Sequence, residues 1–318
     1  DEYYTADETY NLFLGLHKPN MFFATTDMWS GYASSTILPL KFFPSLIVLD
    51  ESTMIQPSDL ATFASKMERQ LGGIRYILFG DMKQLEPFNT IQPLASILKS
   101  PNEIYLSQNN LPSRLTTVYR CHDHAVTILS EVFYSGRLRA GRPATTVYIQ
   151  DTLPRHLFPK GPGHPYHFCF HEFQSKQVVQ SRSNLFEARQ LVTYANQLVD
   201  SGVPQSSIVV ITPFTAQRAL LRQLLPGDIQ DHTTRKIQCG ECDVTCHSGN
   251  ESLSRAEDGV EDSVRVQTIN SKTVGLISDP SIVLVSLSRA RHFTTIFGHE
   301  DFLRSIEMWD RIISLAGY

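Results

Sequence analysis

The chain has 318 residues, 42% hydrophobic and 19% charged, a balance that excludes disorder and leaves room for two domains with cores of their own. A formal net charge of -4 excludes a globally basic nucleic-acid binder, so any basic groove must be local. Apolar runs all fall short of the roughly 18 residues a membrane span needs, and five Cys without a framework spacing suit a reducing compartment inside the cell, cytosol or nucleus.

The first residues, Asp1-Glu2-Tyr3-Tyr4, include neither an initiator Met nor a signal peptide and read as a cut from something longer. Residues 1–20 read as a helix end and a loop, and Met21 to Thr26 as a weakly alternating strand. Leu46-Ile47-Val48-Leu49, entered from Pro44-Ser45, is an apolar run that predicts a strand over 45–50, buried on both faces of a parallel sheet. Asp50 and Glu51 then emerge at its carboxyl end, the edge where open α/β sheets bind ligands. Adjacent carboxylates are costly to bury unless a cation or a reaction uses them; the plainer alternative is a solvated turn. Ser58 is a candidate N-cap for a helix to Gln70, with Gly72-Gly73 ending it. Ile74 to Phe79 is the next strand, and the βαβ unit so formed forces parallel pairing and brings Asp81 to the edge of Asp50 and Glu51. Gln84 follows, an amide able to sense a phosphate or its water without adding charge.

Helices are expected from Asp123 to Tyr134, Glu187 to Val199 and Ala216 to Leu225, with a buried strand from Ile208 to Ile211 and a last strand from Phe293 to Phe297. Residues 150–166, rich in Pro, Gly and His, read as a long surface connection, and 226–263 as a polar insertion. Cys239, Cys242, Cys246 and His247 invite a zinc reading, but four ligands so close together lack the spacing of paired knuckles. Arg218, Arg222, Arg235 and Lys236 line either a basic groove or a solvated helix face.

Five segments carry a resemblance. The chain resembles a superfamily 1 helicase of the Upf1-like (DNA2/NAM7) group through Asp50-Glu51-Ser52-Thr53 (Walker B), Gly80-Asp81-Met82-Lys83-Gln84-Leu85 (motif III) and Val118-Tyr119-Arg120-Cys121, which opens the second RecA-like domain. Ile208 to Phe214 with Gln217, and Ser286 to His292 (motif VI, with Ser288 where Thr is usual), complete the set. The resemblance implies an α/β fold of two RecA-like P-loop domains with parallel sheets flanked by helices, the first domain incomplete over 1–110 and the second over 112–318. It implies ATP and Mg²⁺ as cofactors, ATP hydrolysis coupled to movement on single-stranded RNA or DNA, protein partners in addition, and no membrane. Asp50 would hold Mg²⁺ through its shell, and Glu51 and Gln84 would handle the attacking water. Asp81 and Gln84 would sit at the nucleotide, and Arg120 and Arg289 at the γ-phosphate, each facing out of its own domain. Thr212 and Gln217 would lie at the nucleic-acid surface. The resemblance and the Asp279-Pro280 start together favour a helix over 282–285, where propensity alone favours a strand.

Two departures limit the carry-over. The chain contains no Gly-Lys dipeptide, hence no Gly-x-x-x-x-Gly-Lys-[Ser/Thr] loop to cradle phosphates. Arg265 to Ser271 resembles the start of motif V, yet Lys272 follows where a Gln-Gly-x-Glu segment and a further strand belong. A truncated or degenerate copy and a skipped exon or faulty gene model all give this pattern. The rival reading is a non-hydrolysing remnant that binds nucleic acid or a protein.

Overall fold

The computed structural model describes residues 5–18, 20–25, 28, 45–61, 73–87, 99–108, 112–143, 146–179, 181–238, 240–250 and 275–318. The chain divides into two compact units, Asp1–Ser113 and Arg114–Tyr318.

In the first unit β1 (Leu46–Leu49) pairs in parallel with β2 (Arg75–Leu78), Leu46 opposite Arg75 and Leu49 opposite Leu78. Their carboxyl ends therefore share one edge, as the βαβ reading requires. The expectation of burial on both faces is not met: Leu46 and Val48 are exposed, and Ile47 and Leu49 half-buried. Residues 57–61 start the expected crossover helix, whose remainder to Gln70 lies outside the described residues. Met21 to Thr25 form no strand, and Thr26 lies outside the described residues. Helix α1 spans Ala6–His17, and α2 spans Pro101–Ser107. The second is fixed by a capping box: Ser100 Oγ accepts from Glu103 N at 3.3 Å while Glu103 Oε2 accepts from Ser100 N at 2.7 Å.

The second unit opens with short strands β3 (Thr117–Val118) and β4 (Arg139–Ala140) flanking α3 (Asp123–Phe133). Its body is a five-stranded, all-parallel sheet of β5 (Tyr166–His171), β8 (Ile208–Thr212), β9 (Gln230–Thr233), β10 (Cys242–Ser248) and β11 (Ala290–His299), in the order β5-β11-β10-β8-β9. A small hairpin, β6 (Lys176–Val178) and β7 (Ser181–Ser183), leads into α4 (Leu185–Asp200), and α5 (Thr215–Leu224) follows β8. Helices cover both faces, so β8 is apolar up to its last residue, while β10 and β11 carry Cys, Thr and His residues that are buried with it. One core packs α3, α7 (Pro280–Leu287) and α9 (Glu307–Leu315) around Ile296 and Trp309, whose Nε1 donates to Ile277 O at 2.8 Å. The other packs α4 and α5 against Ile208, Val210, Phe293 and Phe297. A short helix α8 (Glu300–Arg304) joins β11 to α9.

Three expectations change here. Residues 150–166 are not a surface connection, because Leu153, Leu157 and Phe158 are buried in the second core. Residues 230–248 are not a polar insertion: they form β9, a helical turn α6 (Thr234–Ile237) and β10 at the centre of the sheet. Arg218 and Arg222 both pair with Asp231 at 2.7 Å, so neither is a free groove cation. The segment 280–287 is helical despite its Ile and Val residues, because Asp279 accepts from Ser281 N at 2.9 Å and Ile282 N at 3.4 Å and the helix is buried. Arg265 to Ser271 lie outside the described residues. No helix among the described residues is long and apolar enough to cross a membrane.

Candidate nucleotide site

In the first unit the site is built where β1 and β2 end. Phe79 N donates to Leu49 O and Ser52 N to Phe79 O, both at 2.8 Å, so the two strand ends are laced together. Ser52 Oγ lies 2.6 Å from both Phe79 O and Asn102 Oδ1, which ties the edge to α2. Glu51 has left-handed backbone angles, φ 48° and ψ 38°, and heads the short turn Ser52–Met54. A non-Gly residue held there costs on the order of 1–3 kcal/mol, a strain typical of functional edges. At Gly80 the approach is too close for any side chain, since a Cβ would fall 2.9 Å from Thr53 Cγ2 and 3.2 Å from Asn102 Nδ2.

Asp81 organises the motif III turn. Its Oδ1 accepts from Lys83 N at 3.0 Å and its Oδ2 from Gln84 Nε2 at 3.1 Å. Gln84 is thereby oriented, and its Oε1 is buried without a hydrogen-bond partner among the described residues. An acceptor held in that way suits a donor such as a water. Asp50 Oδ1 accepts from Glu51 N at 3.0 Å, with Asp50 itself exposed. Two acids, a third that aims an amide, and an unmet acceptor at one edge fit a Mg²⁺-nucleotide.

In the second unit charge gathers at the amino ends of β10 and β11. Glu241, directly before β10, accepts from Arg120 Nε at 3.1 Å and from Arg291 Nη2. These two guanidiniums, Arg291 foremost, hold its carboxyl below the usual carboxylate range. Arg291 also reaches Asp243 Oδ1 at 3.4 Å, and Arg120 Nη1 reaches Ser288 O at 3.5 Å. Arg120 keeps part of its side chain in solvent.

Arg289 does not face out. It is 2% exposed, with Nε donating to Val285 O at 3.0 Å, Nη2 to Ser288 Oγ at 2.8 Å and Nη1 to Gly240 O at 3.4 Å. Val285 O and Ser288 Oγ at the end of its own helix, with Gly240 O ahead of β10, take up the fork that was expected to serve phosphate. Thr212 and Gln217 are not surface residues either, at 1% and 0% exposure. Gln217 Oε1 accepts from Asn184 N at 2.8 Å and its Nε2 donates to Ser248 Oγ at 3.0 Å, so it braces the sheet from below.

Sequence reasoning missed Gln238 and Glu241. They keep the Gln-x-x-Glu spacing, with Cys239 where Gly is usual, and a strand follows at once. The closely spaced Cys drew attention to metal, yet Cys242 and Cys246 are buried in the sheet, where desolvation pushes the Cys242 thiol up to about 12. It also missed Glu187 (fully buried), which accepts from Ser248 Oγ, from Asn250 N at 3.1 Å and from His171 Nε2 at 2.7 Å. Only the position of Glu187 on the inner face of α4 could have signalled it.

The AAA domain model AAA_12 matches residues 98–301. The ATP-dependent helicase upf1 of Schizosaccharomyces pombe is 27% identical over 79% of this chain and 27% of its own length. The 5'-3' DNA helicase ZGRF1 of Mus musculus is 28% identical over 86% of this chain and 14% of its own. For the ATP-dependent helicase NAM7 of Saccharomyces cerevisiae the figures are 25%, 84% and 26%. The chain thus spans about a quarter of these relatives or less. An arterivirus nonstructural protein 10 (helicase) solved with DNA superposes loosely, with a TM-score of 0.40 and 15% identity over 81% of this chain and 41% of that one.

Proposed function

The chain belongs to the AAA domain family, with the Upf1-like superfamily 1 helicases as its relatives, and from that premise we propose that it carries the catalytic half-sites of an ATP-dependent translocase on single-stranded RNA or DNA. The observation that carries the reading is the edge of the first unit, where Asp50, Glu51 and the Asp81–Gln84 pair converge on the two strand ends. Asp50 would hold Mg²⁺. The metal, when bound with ATP, neutralises charge on the phosphate oxygens. Glu51 orients the attacking water and takes its proton, and Gln84 Oε1 accepts the water's second hydrogen bond, aimed by Asp81. Arg120 supplies the fork that stabilises the spreading phosphoryl charge. Arg289 is a positioning residue, fastening Gly240 and Ser288 beside Glu241.

Gln238 and Glu241 with β10 take the place of the Gln-Gly-x-Glu segment and strand, so the second sheet need not lack a strand. What the chain lacks is a phosphate loop, and residues 1–318 alone are expected to turn over ATP well below about 1 per second, the lower end of ordinary enzymatic rates. Turnover at or above that rate in a steady-state assay contradicts this.

The test of the site uses Glu51→Gln in a protein that joins these residues to a phosphate loop. Nucleotide affinity should stay near the parent's while hydrolysis drops about 10²–10⁴-fold, the usual worth of a positioned base. Equal hydrolysis by variant and parent ends the assignment.

A further inference from the structure

At the opposite, carboxyl edge of the second sheet stands a column of three rings. His171, the last residue of β5, stacks on Phe173 with centroids 5.1 Å apart and planes at 25°. Phe173 stacks on Phe186 at 5.1 Å and 27°. The column passes from the interior to solvent: His171 is buried, Phe173 is 39% exposed and Phe186 57% exposed.

Its base is fixed by hydrogen bonds. His171 Nδ1 accepts from Phe173 N at 3.1 Å, which leaves Nε2 to donate to the buried Glu187 at 2.7 Å. Phe173 O accepts from Asn184 Nδ2 at 3.2 Å, and Asn184 Oδ1 caps the helix that carries Phe186, accepting from Glu187 N at 3.1 Å. The backbone at Phe173 and the start of the helix that carries Phe186 are thus tied to one another through Asn184, beneath two exposed rings in stacking geometry. Free Phe side chains on a surface gain nothing from such rigidity. A platform that receives another flat ring does, because the ordering entropy is already spent.

The adjoining hairpin carries the exposed Lys176, and Arg182, whose Nη1 donates to Ser175 Oγ at 3.1 Å. Flat apolar faces beside a cation suit an unpaired strand, whose bases stack and whose phosphates are drawn to the cation. A protein partner would need neither the stacking alignment nor the cation.

We propose that Phe173 and Phe186 form a base-stacking platform for single-stranded nucleic acid, with Lys176 on its phosphates. The proposal rests on the reading that the chain binds such strands, and places the contact on these rings instead of the buried Thr212 and Gln217.

The experiment measures binding of a labelled oligothymidylate and of an abasic strand of equal length to residues 1–318, by fluorescence anisotropy at one fixed salt concentration. The parent should prefer the base-bearing strand, and Phe173→Ala and Phe186→Ala should each weaken that binding about 5- to 100-fold while leaving the abasic strand unaffected. Phe186→Trp should restore affinity, with its fluorescence quenched on binding. Full affinity in Phe186→Ala overturns the platform and leaves the nucleic-acid reading standing, as does equal affinity of the parent for the two strands. Full affinity in Phe186→Leu marks an apolar dock and overturns it too. A parent that binds neither strand removes both readings together.

Discussion

Arg120→Ala is expected to slow ATP hydrolysis by about 10³–10⁵-fold in a protein where this chain is joined to a phosphate loop. At about 1.36 kcal/mol per decade that is roughly 4–7 kcal/mol of transition-state stabilisation. An exposed ion pair of the Arg120–Glu241 kind is worth at most about 1 kcal/mol, so a purely structural role could not produce such a loss. Arg120→Lys separates the two accounts. Lys keeps the charge and can pair with Glu241, but it lacks the planar fork, and it should recover only a small part of the rate. Single-turnover measurements on saturated protein read the chemical step directly. A loss of tenfold or less for Arg120→Ala, or full rescue by Lys, removes Arg120 from the site. Arg289→Lys predicts a different pattern, with lowered stability, because it strips hydrogen bonds from buried carbonyls.

Folding stability is expected to fall steeply as pH drops below 6.5. His167 and His247 are 0% and 1% exposed, and burial pushes them down to about 3 and about 4 from an ordinary 6.5. Both are therefore neutral in the folded chain while the unfolded chain takes up protons, so the folded state loses ground as pH falls from 6.5 toward 4 and is unaffected above that window. Each contributes about 1.4 kcal/mol per pH unit, or about 3 kcal/mol per pH unit for the pair, upwards of 5 kcal/mol across the window. A domain of ordinary stability, about 5–15 kcal/mol, does not survive much of that. Urea unfolding at a series of pH values between 7 and 5 measures the slope. His247→Gln cannot titrate and should lower the slope by about 1.4 kcal/mol per pH unit. A flat profile in the parent, or an unchanged slope in the variant, refutes the account.

How much of this could be read in advance depends on the kind of interaction. The parallel pairing of β1 and β2 and the convergence of Asp50 with Asp81 follow from an apolar run, a crossover length and a Gly, all of them local signals. The helix at 280–287 was settled by Asp279 and Pro280 against the propensity of its Ile and Val residues. By contrast, Arg289 carries the motif VI signature, but whether its guanidinium reaches phosphate or its own helix's carbonyls depends on the last turn closing over it. Thr212 and Gln217 came from the resemblance, and their burial depends on the packing of the sheet and, for Gln217, on the long-range partners Asn184 and Ser248. Likewise β10 was hidden because its Cys, Thr and His residues give no apolar run, although the flanking strands β8 and β11 bury them all.

Strand β10 starts beside Glu241 and ends at Ser248, which bonds both Glu187 and Gln217. At about 3.3 Å per residue its seven residues form a strut of roughly 23 Å, clamped on either side by β8 and β11. The charged cluster at Glu241 and the ring column that Glu187 anchors through His171 therefore stand at the two ends of one strand.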